Sequence, residues 1–406
     1  MSEFRVGLAS VDFTPRLGLP LFGNFRDDYA ARGVHDPLMA KAIVFEDAQG
    51  SNAAILAVDL CMVDRQNVAL MRRVIGAESN VPPENVLIHA THTHSGPTTI
   101  ERLPMGPSVQ DTRDDLTEFL TRAAGAVRLA EERLTETILR VGYSEEHRVS
   151  FNRRLRRNDG STQMAWEALA NDFDPATIDG PWGPIDAQVA CLGFEQAGRQ
   201  VGAVTNFGLH PAILAGDNWL YSADYPGCLA EAMGRIVDDR FQSVFLNGCC
   251  GNVAHVDYRV ADQGRGFQMT QRVGYMLAAA SADALRAGVP VDGVSVGVSR
   301  DRVSLARVQI DDAEYHRCIQ LLEQAANNPP EGRVDGLPDA YFAQVRVNMH
   351  QEQNTPDEVE VMTVRVGDLA FVGMPGEQFC ETGMHIKRLS PARHTMVAGL
   401  CNDAIG

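Results

Sequence analysis

Three short apolar runs in this chain stop abruptly at polar clusters. Asn85-Val86-Leu87-Ile88-His89-Ala90 runs into Thr91-His92-Thr93-His94-Ser95-Gly96-Pro97, Val201 to Phe207 into Gly208-Leu209-His210-Pro211, and Leu369 to Val372 into Gly373-Met374-Pro375-Gly376-Glu377. Runs this short and this apolar suit strands buried in a sheet, and each polar cluster falls where the chain must reverse. Strand ends of this kind are where α/β folds place their chemistry.

Between these runs the periodicity alternates. Arg5 to Phe13, Met39 to Phe45, Ala53 to Leu60, Thr137 to Tyr143, Ala187 to Phe194, Ser243 to Leu246, Val294 to Leu305 and Glu358 to Val366 read as strands. Gln66 to Ile75, Asp114 to Arg133, Cys228 to Ile236, Gln268 to Arg286, Ala313 to Ala326 and Gln378 to Leu389 carry helical spacing, with Asp224 placed as an N-cap. The stretch between Tyr143 and Ala187, rich in Arg, Asn, Asp and Gly, reads as a loop. No internal repeat or low-complexity linker interrupts the pattern. The expected fold is therefore α/β (mixed α+β), one large domain over residues 1–406 with mixed sheets and helices, the active site on loops at strand ends, and a variable insertion near Asn327 to Gly336.

Charge narrows the partners. A formal net charge of −17 argues against nucleic acid and anionic membrane surfaces, and the one basic run, Arg153-Arg154-Leu155-Arg156-Arg157, is too short to reverse that. No apolar leader follows Met1 and no stretch reaches the roughly eighteen apolar residues of a transmembrane helix, so a cytoplasmic protein with no transmembrane segment is expected. The eight cysteines are then expected to be reduced thiols.

His92 and His94 are two residues apart and would share one side if the strand continued, giving two metal ligands or one ligand and a proton donor. Two exposed histidines at a strand end fit the spacing equally well. His210 alone would suit a structural histidine, and Glu377 alone a first-turn acid favoured by the helix dipole. Together His92, His210 and Glu377 supply two imidazoles and a carboxylate, a set typical of catalytic zinc with a position left for water.

These residues carry a resemblance. Gly7 to Pro15, Gly33-Val34-His35-Asp36-Pro37-Leu38, Asp59-Leu60, Thr91 to Pro97, Phe151-Asn152-Arg153, His210, Ser222-Ala223-Asp224-Tyr225-Pro226-Gly227, Gly251-Asn252-Val253 and Pro375-Gly376-Glu377 occur in the order found in the N-terminal domain of neutral/alkaline non-lysosomal ceramidases. The resemblance implies a zinc-dependent amidase in which His92, His210 and Glu377 hold Zn2+, with His94 and Arg153 beside the metal. The chain departs from the family twice. Ala254 stands where the family has a serine proposed as nucleophile, and no tyrosine occurs in Asn402-Asp403-Ala404-Ile405-Gly406, where the family supplies a tyrosine ligand. Either the chain is truncated, the site is one ligand short, or another residue fills the place; ceramide itself becomes a doubtful substrate.

Without the serine, the economical chemistry is a metal-activated water attacking the carbonyl of a small-molecule amide, with His94 as general acid or base and Arg153 clamping a carboxylate or stabilising the oxyanion. An ester or lactone substrate fits the same site. Arg153 competes with a solvated basic loop. Asp59 is read either as orienting an imidazole or as a turn residue, and His35 and Asp224 as turn and cap residues. Two rival classes remain. One is a thiol hydrolase built on Cys249 or Cys250, and the other a homologue that binds metal or ligand without turnover. The sequence is compatible with a homo-oligomer and does not specify one.

Overall fold

The computed structural model describes residues 4–405 apart from 27, 101–111, 170–172, 262, 328–332, 335 and 336. Its first sheet holds β1 (Arg5–Asp12), β2 (Met39–Glu46), β3 (Asn52–Val58) and β4 (Val86–Ala90), with α1 (Arg65–Glu78) crossing from β3 to its parallel neighbour β4. Helix α2 (Arg113–Glu131) packs beside α1. The second sheet holds β5 (Ile138–Glu145), β6 (Gln188–Gln196), β7 (Arg199–Phe207) and β8 (Gln242–Asn247). There α3 (Tyr225–Ile236) joins β7 to the parallel β8, and α4 (Phe267–Arg286) lies alongside. In the third, β9 (Val296–Leu305) is followed by a hairpin of α5 (Asp312–Asn327) and α6 (Asp339–Glu352), then β10 (Asp357–Val366), β11 (Leu369–Gly373), α7 (Cys380–Leu389) and β12 (His394–Ala398), with β11 and β12 parallel.

Strand alternation decides which face meets which layer. On β3, Ala54, Leu56 and Val58 face the helices α1 and α2, while Ala53, Ile55 and Ala57 face a core shared by all three sheets. Phe45, Phe194 and Phe371, one from each sheet, meet there, with Phe45 5.9 Å from Phe371 and 6.4 Å from Phe194 between ring centroids. With both faces covered, these strands read as unbroken apolar runs.

The parallel pairs within these three sheets are three β-α-β units, and their carboxyl ends meet. Ala90 N–H donates to Leu400 O, Gly399 N–H to Asn247 O, and Gly248 N–H to Phe207 O. At the junction lies His89, fully buried. Its Nδ1 lies 2.9 Å from Gly399 O, and its Nε2 accepts from Asn247 N–H at 3.0 Å, so one nitrogen must donate and the other accept. Burial pushes its pKa down to about 4, consistent with that neutral form. His89→Leu would leave Asn247 N–H without an acceptor and Gly399 O with only the Cys401 thiol, and a loss of about 2–3 kcal/mol at neutral pH is expected. Because the folded value lies below the unfolded one of about 6.5, wild-type stability from this group is lost as pH falls toward 4. The gap between variant and wild type in urea unfolding should narrow over that window. A gap independent of pH would contradict the assignment.

Two expectations are corrected. The stretch after β5 is not a plain loop: Arg154–Arg157 pairs with Thr162–Met164 and Ile178–Pro181 in a small sheet, turned at Gly160. The helix α6 and the strand β12, unassigned from sequence, also form; Val345 and Val347 gave α6 an alternation closer to a strand's. Of the insertion expected over 327–336, most lies outside the described residues, and Arg333–Val334 pairs with Leu337–Pro338.

Candidate metal centre

Each β-α-β unit delivers one member of the site from the end of its strands. After β4 the strand does not continue, contrary to the spacing argument. His92 adopts φ 77°, a conformation non-glycine residues rarely hold, while its N–H donates to Leu60 O. That turn, rather than strand alternation, brings the imidazoles of His92 and His94 together, their ring centroids 4.8 Å apart. His210 follows β7. Glu377 follows β11 and precedes α7, whose first residue is Cys380, so it is a loop carboxylate and not a first-turn acid. Gly251 makes room for that loop, since a Cβ there would sit 2.3 Å from Glu377 O.

His92 Nδ1 lies 2.7 Å from Cys61 O, and His210 Nδ1 3.1 Å from Cys250 O. Each carbonyl can only accept, which makes Nδ1 the donor and leaves the lone pair on Nε2. Those two Nε2 atoms face each other at 2.9 Å, with Glu377 Oε1 3.6 Å from His92 Nε2 and Oε2 3.5 Å from His210 Nε2. Four acceptor atoms converging in this way repel one another unless a cation or proton lies among them. Within this group one ligand atom from each of the three residues lies inside 4.8 Å of the others. The residues therefore fit a divalent ion of the zinc type.

Electrostatics agree. Burial opposes charge on His92, but Cys61 and Glu377 outweigh it and push its pKa well above the usual value. Burial holds His210 and His94 well below theirs, Arg153 adding to the effect on His210 and His92 to that on His94. Desolvation would raise Glu377, yet His92, His210 and His94 hold it well below the usual carboxylate range.

His94 Nε2 lies 3.3 Å from His92 Nε2. A loop spanning Phe22 to Arg26 lies over its ring. Gly23, at φ 99°, passes so close that a Cβ would come within 2.4 Å of His94 Cγ, and the buried Arg26 donates to His94 O at 3.2 Å. Arg153 places Nη1 3.4 Å from His210 Nε2 and Nη2 3.8 Å from Glu377 Oε2. Strand geometry resolves the basic run: Arg154 and Arg156 lie over Phe379 and Trp182, while Arg153 reaches the site and lies over Trp166.

Other candidates are not brought into the site. Asp59 accepts from Met39 N–H and Thr91 Oγ1–H and touches no imidazole. His35 stacks on Phe267, and Asp224 caps α3 through Tyr225 N–H. Burial pushes the Cys249 thiol up to about 12 and Cys250 to about 11, far from the activated thiolate a nucleophile needs. In place of a tyrosine, the C-terminal segment uses Asn402 to accept from Ile88 N–H and Asp403 to pair with Arg65. Sequence reasoning missed the carbonyls of Cys61 and Cys250, because no side-chain signal marks a backbone acceptor. It also missed the Phe22 to Arg26 loop, whose one hint was the turn-prone Gly23-Asn24.

Strand-end imidazoles and a carboxylate on a mixed α/β frame define a metal-site candidate, and comparisons give the family of the chain. The family model for neutral/alkaline non-lysosomal ceramidase, N-terminal, matches residues 4–253, more than half the chain, and the protein belongs to that family. Neutral ceramidase of Pseudomonas aeruginosa is 27% identical over 234 residues, covering 55% of this chain and 32% of that protein. Neutral ceramidase B of Dictyostelium discoideum is 33% identical over 102 residues, covering 24% of this chain and 14% of that protein. The matches thus span less than a third of these curated relatives. The crystal structure of the Pseudomonas aeruginosa neutral ceramidase shares the fold, with a TM-score of 0.73 at 20% identity, over 100% of this chain and 68% of that one.

Proposed function

We propose that this protein is a zinc-dependent hydrolase of carbon–nitrogen amide bonds that acts on a small or acylated amide other than ceramide. The observation that carries the reading is the convergence of His92 Nε2, His210 Nε2 and both Glu377 oxygens, a ligand set that a divalent ion would bring together. Family membership supports the amide chemistry. An ion bound there supplies a Lewis acid that polarises a carbonyl and makes water a nucleophile near neutral pH.

The chain's own groups do the rest. Cys61 O and Cys250 O hold the two ligating imidazoles in the tautomer that presents Nε2. His94, kept neutral by its enclosure, takes a proton from the attacking water on a ring nitrogen and returns it to the leaving nitrogen. Water thus adds as OH to the carbonyl carbon and H to the amine. Arg153, half-buried and permanently charged, donates to the carbonyl oxygen as negative charge builds on it. With Ala254 where the family serine stands, no side-chain nucleophile takes part.

Purified protein is expected to carry about one zinc per chain, to lose amide cleavage in chelator and regain it with zinc, and to be indifferent to thiol alkylation. Protein free of metal that cleaves no member of an acyl-amide panel would overturn the reading. Activity that survives chelator and dies on alkylation would revive the thiol mechanism.

A further inference from the structure

Beside His94 and Glu377 opens a cavity of about 130 Å³ with a mixed polar and aromatic lining. Asn24, His94 and Glu377 contribute its polar lining, and Phe25, Tyr29 and Tyr341 an aromatic one. The aromatic wall is assembled from separate parts of the chain. Phe25 belongs to the loop that covers His94, and Tyr341 stands on α6 of the helical hairpin. Their rings meet edge to face, 5.3 Å between centroids at 73°. The hairpin packs chiefly on itself through Cys318, Ala343 and Val347, so Tyr341 is where it reaches over the site.

Size limits the occupant. Pockets for drug-sized ligands run to roughly 300–1,000 Å³, whereas an apolar cavity of about 150 Å³ accommodates benzene. Resting on the hydrolase reading above, we propose that this aromatic box selects amides bearing one compact apolar group of about six heavy atoms, a phenyl ring above all, and that Tyr341 sets the size limit. The amide lies near His94 and Glu377, with the ring packed against the wall that Phe25 and Tyr341 form together. A long acyl chain exceeds its volume.

Two measurements separate this proposal from the reading it rests on. In metal-free protein, fluorine NMR of 4-fluorobenzamide should show saturable binding that Tyr341→Trp weakens about tenfold or more by filling the box. In zinc-loaded protein, acyl amides of one small amine should be cleaved with a kcat/KM that peaks at benzoyl or hexanoyl and falls about tenfold or more at lauroyl. Tyr341→Ala should flatten that ranking. Binding without turnover of any amide would sustain the box and sink the hydrolase. Turnover that rises steadily to lauroyl, or a ranking that Tyr341→Ala leaves unchanged, would overturn the box and leave the hydrolase standing. Neither binding nor turnover would overturn both.

Discussion

His210→Ala is expected to yield a folded protein that retains no stoichiometric zinc and whose kcat/KM on any amide falls by on the order of a thousandfold or more. The imidazole is one of two whose Nε2 lone pairs face each other, and its Nδ1 is held by Cys250 O. Removing it leaves His92 and Glu377, too few ligands for tight binding. The variant also loses a buried hydrogen bond, worth about 1 kcal/mol, so folding should survive. Zinc raises the melting temperature of a protein that binds it only when folded. Wild type should therefore melt higher with zinc than in chelator, and His210→Ala identically in both. A variant that keeps zinc and most of its activity would remove His210 from the site.

His94→Ala should separate from that result. His94 stands 3.3 Å from the same His92 nitrogen, yet it is assigned to proton transfer. Zinc content should hold while turnover drops by roughly a hundredfold or more, with kcat falling more than KM rises. Alanine also leaves space beneath Gly23, so His94→Gln, which keeps bulk and a hydrogen-bonding end, should retain metal and show the same loss. Zinc loss equal to that of His210→Ala would make His94 a ligand, standing in for the family's tyrosine.

Much of the frame was legible because burial on both faces writes itself as short apolar runs, and the runs ended where the strands end. β4 into His92, β7 into His210 and β11 into Glu377 were each readable locally. Their convergence was not, since it depends on β-α-β units whose parallel pairing brings together residues 118 apart in the case of His92 and His210. The left-handed turn at His92 was not read from the sequence, because a histidine, unlike a glycine, adopts positive φ in only a small share of cases. Arg153 could not be told from its basic neighbours until the small sheet put Arg154 and Arg156 over aromatic rings. His89 read as one more residue of a buried strand, although it ties the three strand ends together.

The central claim is that His92, His210 and Glu377 hold one catalytic zinc. An anomalous-difference map at the zinc edge tests it most directly. The account predicts a single peak about 2.0–2.2 Å from His92 Nε2, His210 Nε2 and a Glu377 oxygen, with His94 and Arg153 outside that distance. No peak there, or a peak shared instead by Cys61, His92 and His94, the other cluster among the described residues close enough to hold an ion, would contradict it.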